Sequence, residues 1–165
     1  MLDTVDPLVT WGGSTSVVRQ SVRRPLLHSV VTSHYRNTLI EVAEDCPATA
    51  AEVPRIRNGK KTRPVLEYEM VVNHPYEYTA DDIAFETYAL LHDIPQSSWP
   101  EKRPEFLRKS HPRLRVSALA KHYGWGIHVN GDGKAALIAV ESPEYTRLVN
   151  DPGTTKVKAF RSKRA

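Results

Sequence analysis

Only one cysteine, Cys46, occurs in the 165 residues, so the chain closes no internal disulfide and offers no cysteine cluster for a structural zinc. That composition points to a reducing cytoplasm. Long apolar runs are also missing. The longest near the start, Leu26, Leu27, His28, Ser29, Val30 and Val31, falls far short of the roughly 20 residues that cross a bilayer and is too brief for a signal-peptide core. Neither membrane insertion nor secretion is expected. No dinucleotide fingerprint and no Gly-x-Ser-x-Gly elbow occurs, which removes the commonest nucleotide-cofactor and hydrolase signatures. The run Asn58, Gly59, Lys60, Lys61, Thr62 superficially resembles the end of a phosphate-binding loop, but Pro54 and Lys61 stand where that motif requires glycine and a hydroxyl residue.

What is present describes an ordinary globular domain. Hydrophobic residues make up 40% and charged residues 25%, and the length suits one domain with a single core. The net charge of +4 is unevenly spread. Residues 36–100 carry 6 basic and 11 acidic side chains, whereas residues 101–165 carry 14 basic and 6 acidic ones. Such polarity suits an acidic partner, self-association or merely solvated faces.

Residues 1–35 show no sustained period, and Gly12, Gly13, Ser14, Thr15 and Ser16 read as a linker, so this part is expected to be a poorly ordered extension or the product of a misassigned start, the true start lying near Val30 or Val31. Thr38, Ile40 and Val42 alternate with Leu39, Glu41 and Ala43 as a strand does. A long loop follows to Lys61. Residues 64–73 fit either period, with helix preferred. Thr79 caps a helix that carries Asp81 and Asp82 in its first turn and reaches about His92. Further helices are expected from Ser98 to about Lys109, from Ser117 to Tyr123 and over 143–150, the last led by Ser142 and Pro143. Trp125, Ile127 and Val129, the turn over Asn130 to Gly133, and the apolar run from Ala135 to Val140 read as a β-hairpin. These elements specify an α+β fold: a small antiparallel sheet with a C-terminal hairpin, packed by several short helices, in one domain over 36–153. Residues 154–165 read as a basic tail, extended or disordered unless a partner orders it.

Four blocks, NTLIEVAEDCP at 37–47, NHPYEYTADD at 73–82, YGWGIH at 123–128 and RSKRA at 161–165, appear in order. On them the chain resembles a family of small bacterial and fungal proteins catalogued only as a domain of unknown function, over about residues 35 to 165. The resemblance implies no activity and no site residues, and the first 30 or so residues depart from it.

Candidate sites come from the residues themselves. Tyr123, Trp125 and His128, with Tyr145, could line a ligand pocket in which His128 serves as an acid or base near neutral pH. The competing reading puts Trp125 and Ile127 in the core and His128 in solvent, because alternate strand residues face opposite ways. His122 and His128 lack a metal-binding spacing, so no metal and no cofactor are expected. Cys46 is the other weak catalytic candidate, although neighbouring Asp45 opposes thiolate formation. Lys156, Lys158, Arg161, Lys163 and Arg164 could contact an acidic partner or nucleic acid, with only Phe160 nearby for base stacking. The leading expectation is a non-catalytic binding or interaction module for an acidic partner or ligand. The alternatives are a small enzyme or metabolite-binding protein with its pocket at 123–128, and a homo-oligomeric structural protein.

Overall fold

The computed structural model describes residues 35–109 and 114–163. Of the extension expected over residues 1–35, residues 1–34, its start among them, lie outside the described residues, as does Arg164, while Tyr35 packs against the core.

The hairpin forms the centre of the sheet. Strand β3, Trp125–Val129, pairs antiparallel with β4, Lys134–Ala139, in the register Trp125 with Ala139 and Val129 with Ala135. Asn130 closes the turn, since its Oδ1 accepts from the N–H groups of Asp132 at 3.0 Å and Lys134 at 2.9 Å. Strand β1, Thr38–Glu41, pairs antiparallel with the other side of β3, placing Ile40 opposite Ile127. A two-residue strand β2, Tyr78–Thr79, adds to β4, and β5, Thr155–Lys158, runs parallel to β1. The order is β2-β4-β3-β1-β5.

Strand alternation divides the sheet into two faces. Ile40, Ile127, Val129 and Ala135 point to one of them. There they join Val71 of α1, Arg63–Val72, Ala80 and Ile83 of α2, Ala80–Leu91, and Ala120 of α4, Ala118–His122. Leu39 points to the other, where it packs with Tyr145 and Leu148 of α5, Pro143–Asn150. Helix α3, Trp99–Arg108, buries no residue fully, and Trp99 and Phe106 meet the Phe85 ring edge-on at 5.7 Å. The α+β class expected from the sequence is the one observed.

The ambiguous segment 64–73 is helical. Pro64 occupies its first turn, and Glu67 is buried because Arg63 Nε, at 2.7 Å, and Ser117 Oγ, at 2.6 Å, both donate to its carboxylate. The cap expected for α2 is a full capping box: Thr79 Oγ1 accepts from Asp82 N–H, and Asp82 Oδ2 accepts from Thr79 N–H at 2.9 Å. The expected free tail requires correction. Thr155–Lys158 is the edge strand β5, whose backbone pairs with β1 although only Val157 among its side chains is half-buried. Edge pairing demands no alternating hydrophobics, so composition concealed the strand. Among the described residues no helix is long and apolar enough to cross a membrane.

Candidate functional site

β3 sends the residues of the expected pocket to opposite faces of the sheet. Trp125 turns toward α1, where its ring lies 5.5 Å from that of Tyr68, and its Nε1–H donates to the Glu52 carbonyl at 2.9 Å. The Tyr123 carbonyl accepts from Glu52 N–H at 2.8 Å. Gly124 holds φ +73, and a Cβ there would sit 2.7 Å from the Ala50 carbonyl oxygen. Tyr123, Gly124 and Trp125 thus anchor loop 48–61. Gly126 and His128 face α5 instead, and Tyr145 lies against Gly126 while its Oη accepts from Val42 N–H at 3.1 Å. The four residues Tyr123, Trp125, His128 and Tyr145 are not brought together.

His128 finds a partner that sequence reasoning missed. Tyr76 Oη lies 2.8 Å from His128 Nδ1, with the two rings edge-on at 5.7 Å. Tyr76 has φ +60, a left-handed conformation that costs a side-chain-bearing residue about 1–2 kcal/mol. The only hint in the sequence was an aromatic placed directly after His74 and Pro75 in the polar 73–82 block. Burial holds the His128 imidazole below its ordinary 6.5, opposed by the Glu144 and Asp151 carboxylates and assisted by Arg147. Burial likewise lifts the Tyr76 phenol above 10.0, with Glu144 acting in the same direction. Glu144 and Arg147 are themselves joined by two hydrogen bonds, at 2.9 Å and 2.5 Å. At neutral pH the pair is therefore an uncharged imidazole and phenol.

The cations expected to meet an acidic partner are largely engaged within the chain. Lys158 Nζ lies 3.7 Å from Glu41, Arg161 pairs with Glu44, and Lys156 Nζ donates to the carbonyls of Asp151 and Thr154. The backbone N–H groups of Ser162 and Lys163 donate to Asp45 Oδ2 at 2.8 Å and 3.0 Å. The Lys163 donor chiefly holds the Asp45 carboxyl below its ordinary 3.8. Arg115 lies over the Phe160 ring at 4.1 Å and its Nε–H donates to the Lys158 carbonyl. The acidic and basic segments therefore meet inside one chain.

Cys46, half-buried against the core, keeps a free thiol directed at the Ala48 carbonyl at 3.9 Å. His122 and His128 have separate partners: Ser162 Oγ lies 3.2 Å from His122 Nε2. Among the described residues no group of three or more His, Cys, Asp or Glu side chains is gathered as a metal site.

Loop 48–61 carries an open basic surface. Its root is bolted by the two Glu52 hydrogen bonds, by Ala51 N–H donating to Glu141 Oε2 at 2.8 Å, and by buried Pro54. Its tip is a tight turn in which Arg57 and Lys60 exchange backbone hydrogen bonds across Asn58, φ +52, and Gly59, φ +71. Between root and tip Val53 is 57% and Ile56 53% exposed. Arg55, Arg57 and Lys60 are exposed and form no ion pair with any described residue, whereas Lys61 is held by Glu69 at 2.6 Å.

A family model described as Family of unknown function (DUF6157) matches residues 30–165, and the chain belongs to that family. No curated protein and no solved structure matches the chain.

Proposed function

We propose that this domain is a non-catalytic interaction module that binds an acidic partner or ligand through loop 48–61. The observation that carries this reading is the contrast between two sets of cations. Lys156, Lys158 and Arg161 are occupied by Glu41, Glu44 and backbone carbonyls, while Arg55, Arg57 and Lys60 stand exposed together on one loop without a carboxylate. A rigid root also favours binding, because ordering a mobile side chain at an interface costs about 0.5–1.5 kcal/mol. The free thiol of Cys46 supports a reducing, cytoplasmic setting.

Polyglutamate binding, measured by calorimetry at low and raised salt, tests the reading. The wild-type chain is expected to bind with an affinity that falls as salt rises, and reversing Arg55, Arg57 and Lys60 to glutamate is expected to abolish binding. Lys163→Glu is expected to retain most of it. Binding that is insensitive to salt, or unaffected by the loop reversal, overturns the proposal.

A second reading, a small enzyme or metabolite-binding protein, is favoured by the Tyr76–His128 hydrogen bond on the α5 face. That pair presents one donor and one acceptor in either tautomer, as acid–base work or recognition of a polar ligand requires. Tyr76→Phe separates the two readings, since it leaves polyglutamate binding intact and disables the pair. A homo-oligomer would bring acidic and basic segments of different chains together. A monomer mass unchanged between low and high salt removes that reading.

A further inference from the structure

Resting on the loop as the binding surface, we infer that its partner is an extended polypeptide segment in which acidic and aliphatic residues alternate. Val53 and Ile56 are the two most exposed large hydrophobic side chains among the described residues, and both stand on this loop. A partner that only neutralised charge would leave them in water. A partner carrying aliphatic side chains between its carboxylates covers them as well. Arg55, Ile56 and Arg57 set cation, aliphatic and cation at consecutive positions, a pattern that an acid–aliphatic–acid stretch complements. Arginine suits this role because its planar fork grips a carboxylate with two parallel hydrogen bonds.

Other anionic macromolecules fit the loop less well. Single-stranded nucleic acid is held by aromatic side chains stacked on bases, and residues 48–61 contain none. Interfacial membrane anchors rely on Trp, Phe and Leu, which the loop lacks.

The test compares four probes on the full chain by fluorescence anisotropy or, for vesicles, by sedimentation. They are a soluble peptide of repeating Glu-Leu-Glu-Ser, polyglutamate of equal charge, oligouridylate, and vesicles containing phosphatidylserine. The peptide is expected to bind about tenfold more tightly than polyglutamate, a gap of about 1.4 kcal/mol. Ile56→Ser and Val53→Ser are expected to narrow that gap while leaving polyglutamate binding unchanged, and both are surface changes whose folding is checked by circular dichroism. A peptide advantage that survives both substitutions, or tighter binding of oligouridylate or vesicles, overturns the partner class and leaves the loop as an acidic-ligand surface. Failure of every acidic probe overturns the loop reading itself.

Discussion

Gly126 of β3 lies so close beneath Tyr145 of α5 that a Cβ at position 126 would stand 2.5 Å from Tyr145 Cε2 and 2.9 Å from Cδ2. The ring cannot simply swing aside, because its hydroxyl accepts the Val42 N–H and its body packs with Leu39 and Leu148. This contact seats α5 on that face of the sheet. Gly126→Ala is therefore expected to destabilise the domain by about 1–3 kcal/mol through overpacking. Urea denaturation checks this, and a change below about 0.5 kcal/mol would show that α5 shifts freely.

The indole of Trp125 is a structural anchor for the loop. Trp125→Phe keeps an aromatic ring facing Tyr68 but removes the Nε1–H bond to the Glu52 carbonyl, a loss of about 0.5–1.5 kcal/mol to which the smaller ring adds some lost packing. Amide exchange at Glu52, whose N–H is held by Tyr123, is expected to accelerate. Unchanged exchange there would show that the loop root is held by its other contacts alone.

Acid and alkali are expected to weaken the Tyr76–His128 pair from opposite sides. The folded state holds His128 below 6.5, so the unfolded chain takes up the proton first, and this contribution is present above pH 6.5 and lost as pH falls beneath it. Tyr76 is held above 10.0, so its contribution is present below pH 10.0 and lost as pH rises past it. Between about pH 7 and pH 5 the wild-type protein is expected to lose more stability than His128→Gln. Parallel stability profiles for the two proteins would refute the assignment.

Asp45 fastens the chain after β5 by accepting the N–H groups of Ser162 and Lys163. Asp45→Ala is expected to make residues 159–163 several-fold more sensitive to trypsin while the hairpin keeps its exchange protection. Raised salt should add to the effect by screening the exposed pair of Arg161 with Glu44. Equal cleavage rates in variant and wild type would mean that the β5 pairing alone secures this segment.

The local signals in the sequence were strong wherever one short segment carried its own instructions. The hairpin was legible because Trp125, Ile127 and Val129 alternate ahead of a turn rich in Asn and Gly, and α2 because Thr79 stands as a cap before the acidic first turn of Asp81 and Asp82. Strands β2 and β5 were not legible. Two residues hold no period, and an edge strand whose stability comes from backbone pairing with β1 shows no apolar alternation.

The candidate sites followed the same division. Strand alternation alone already opposed Trp125 to His128, as the structure shows. That Tyr76 meets His128 from 52 residues away, that Arg161 meets Glu44 across 117, and that Arg55, Arg57 and Lys60 are left unpaired follow from no spacing along the chain. Charge counts gave the sign of each segment, and tertiary folding determined which charges cancel. Long-range pairing depends on the order of strands in the sheet, and that order is set by the packing of all the elements together.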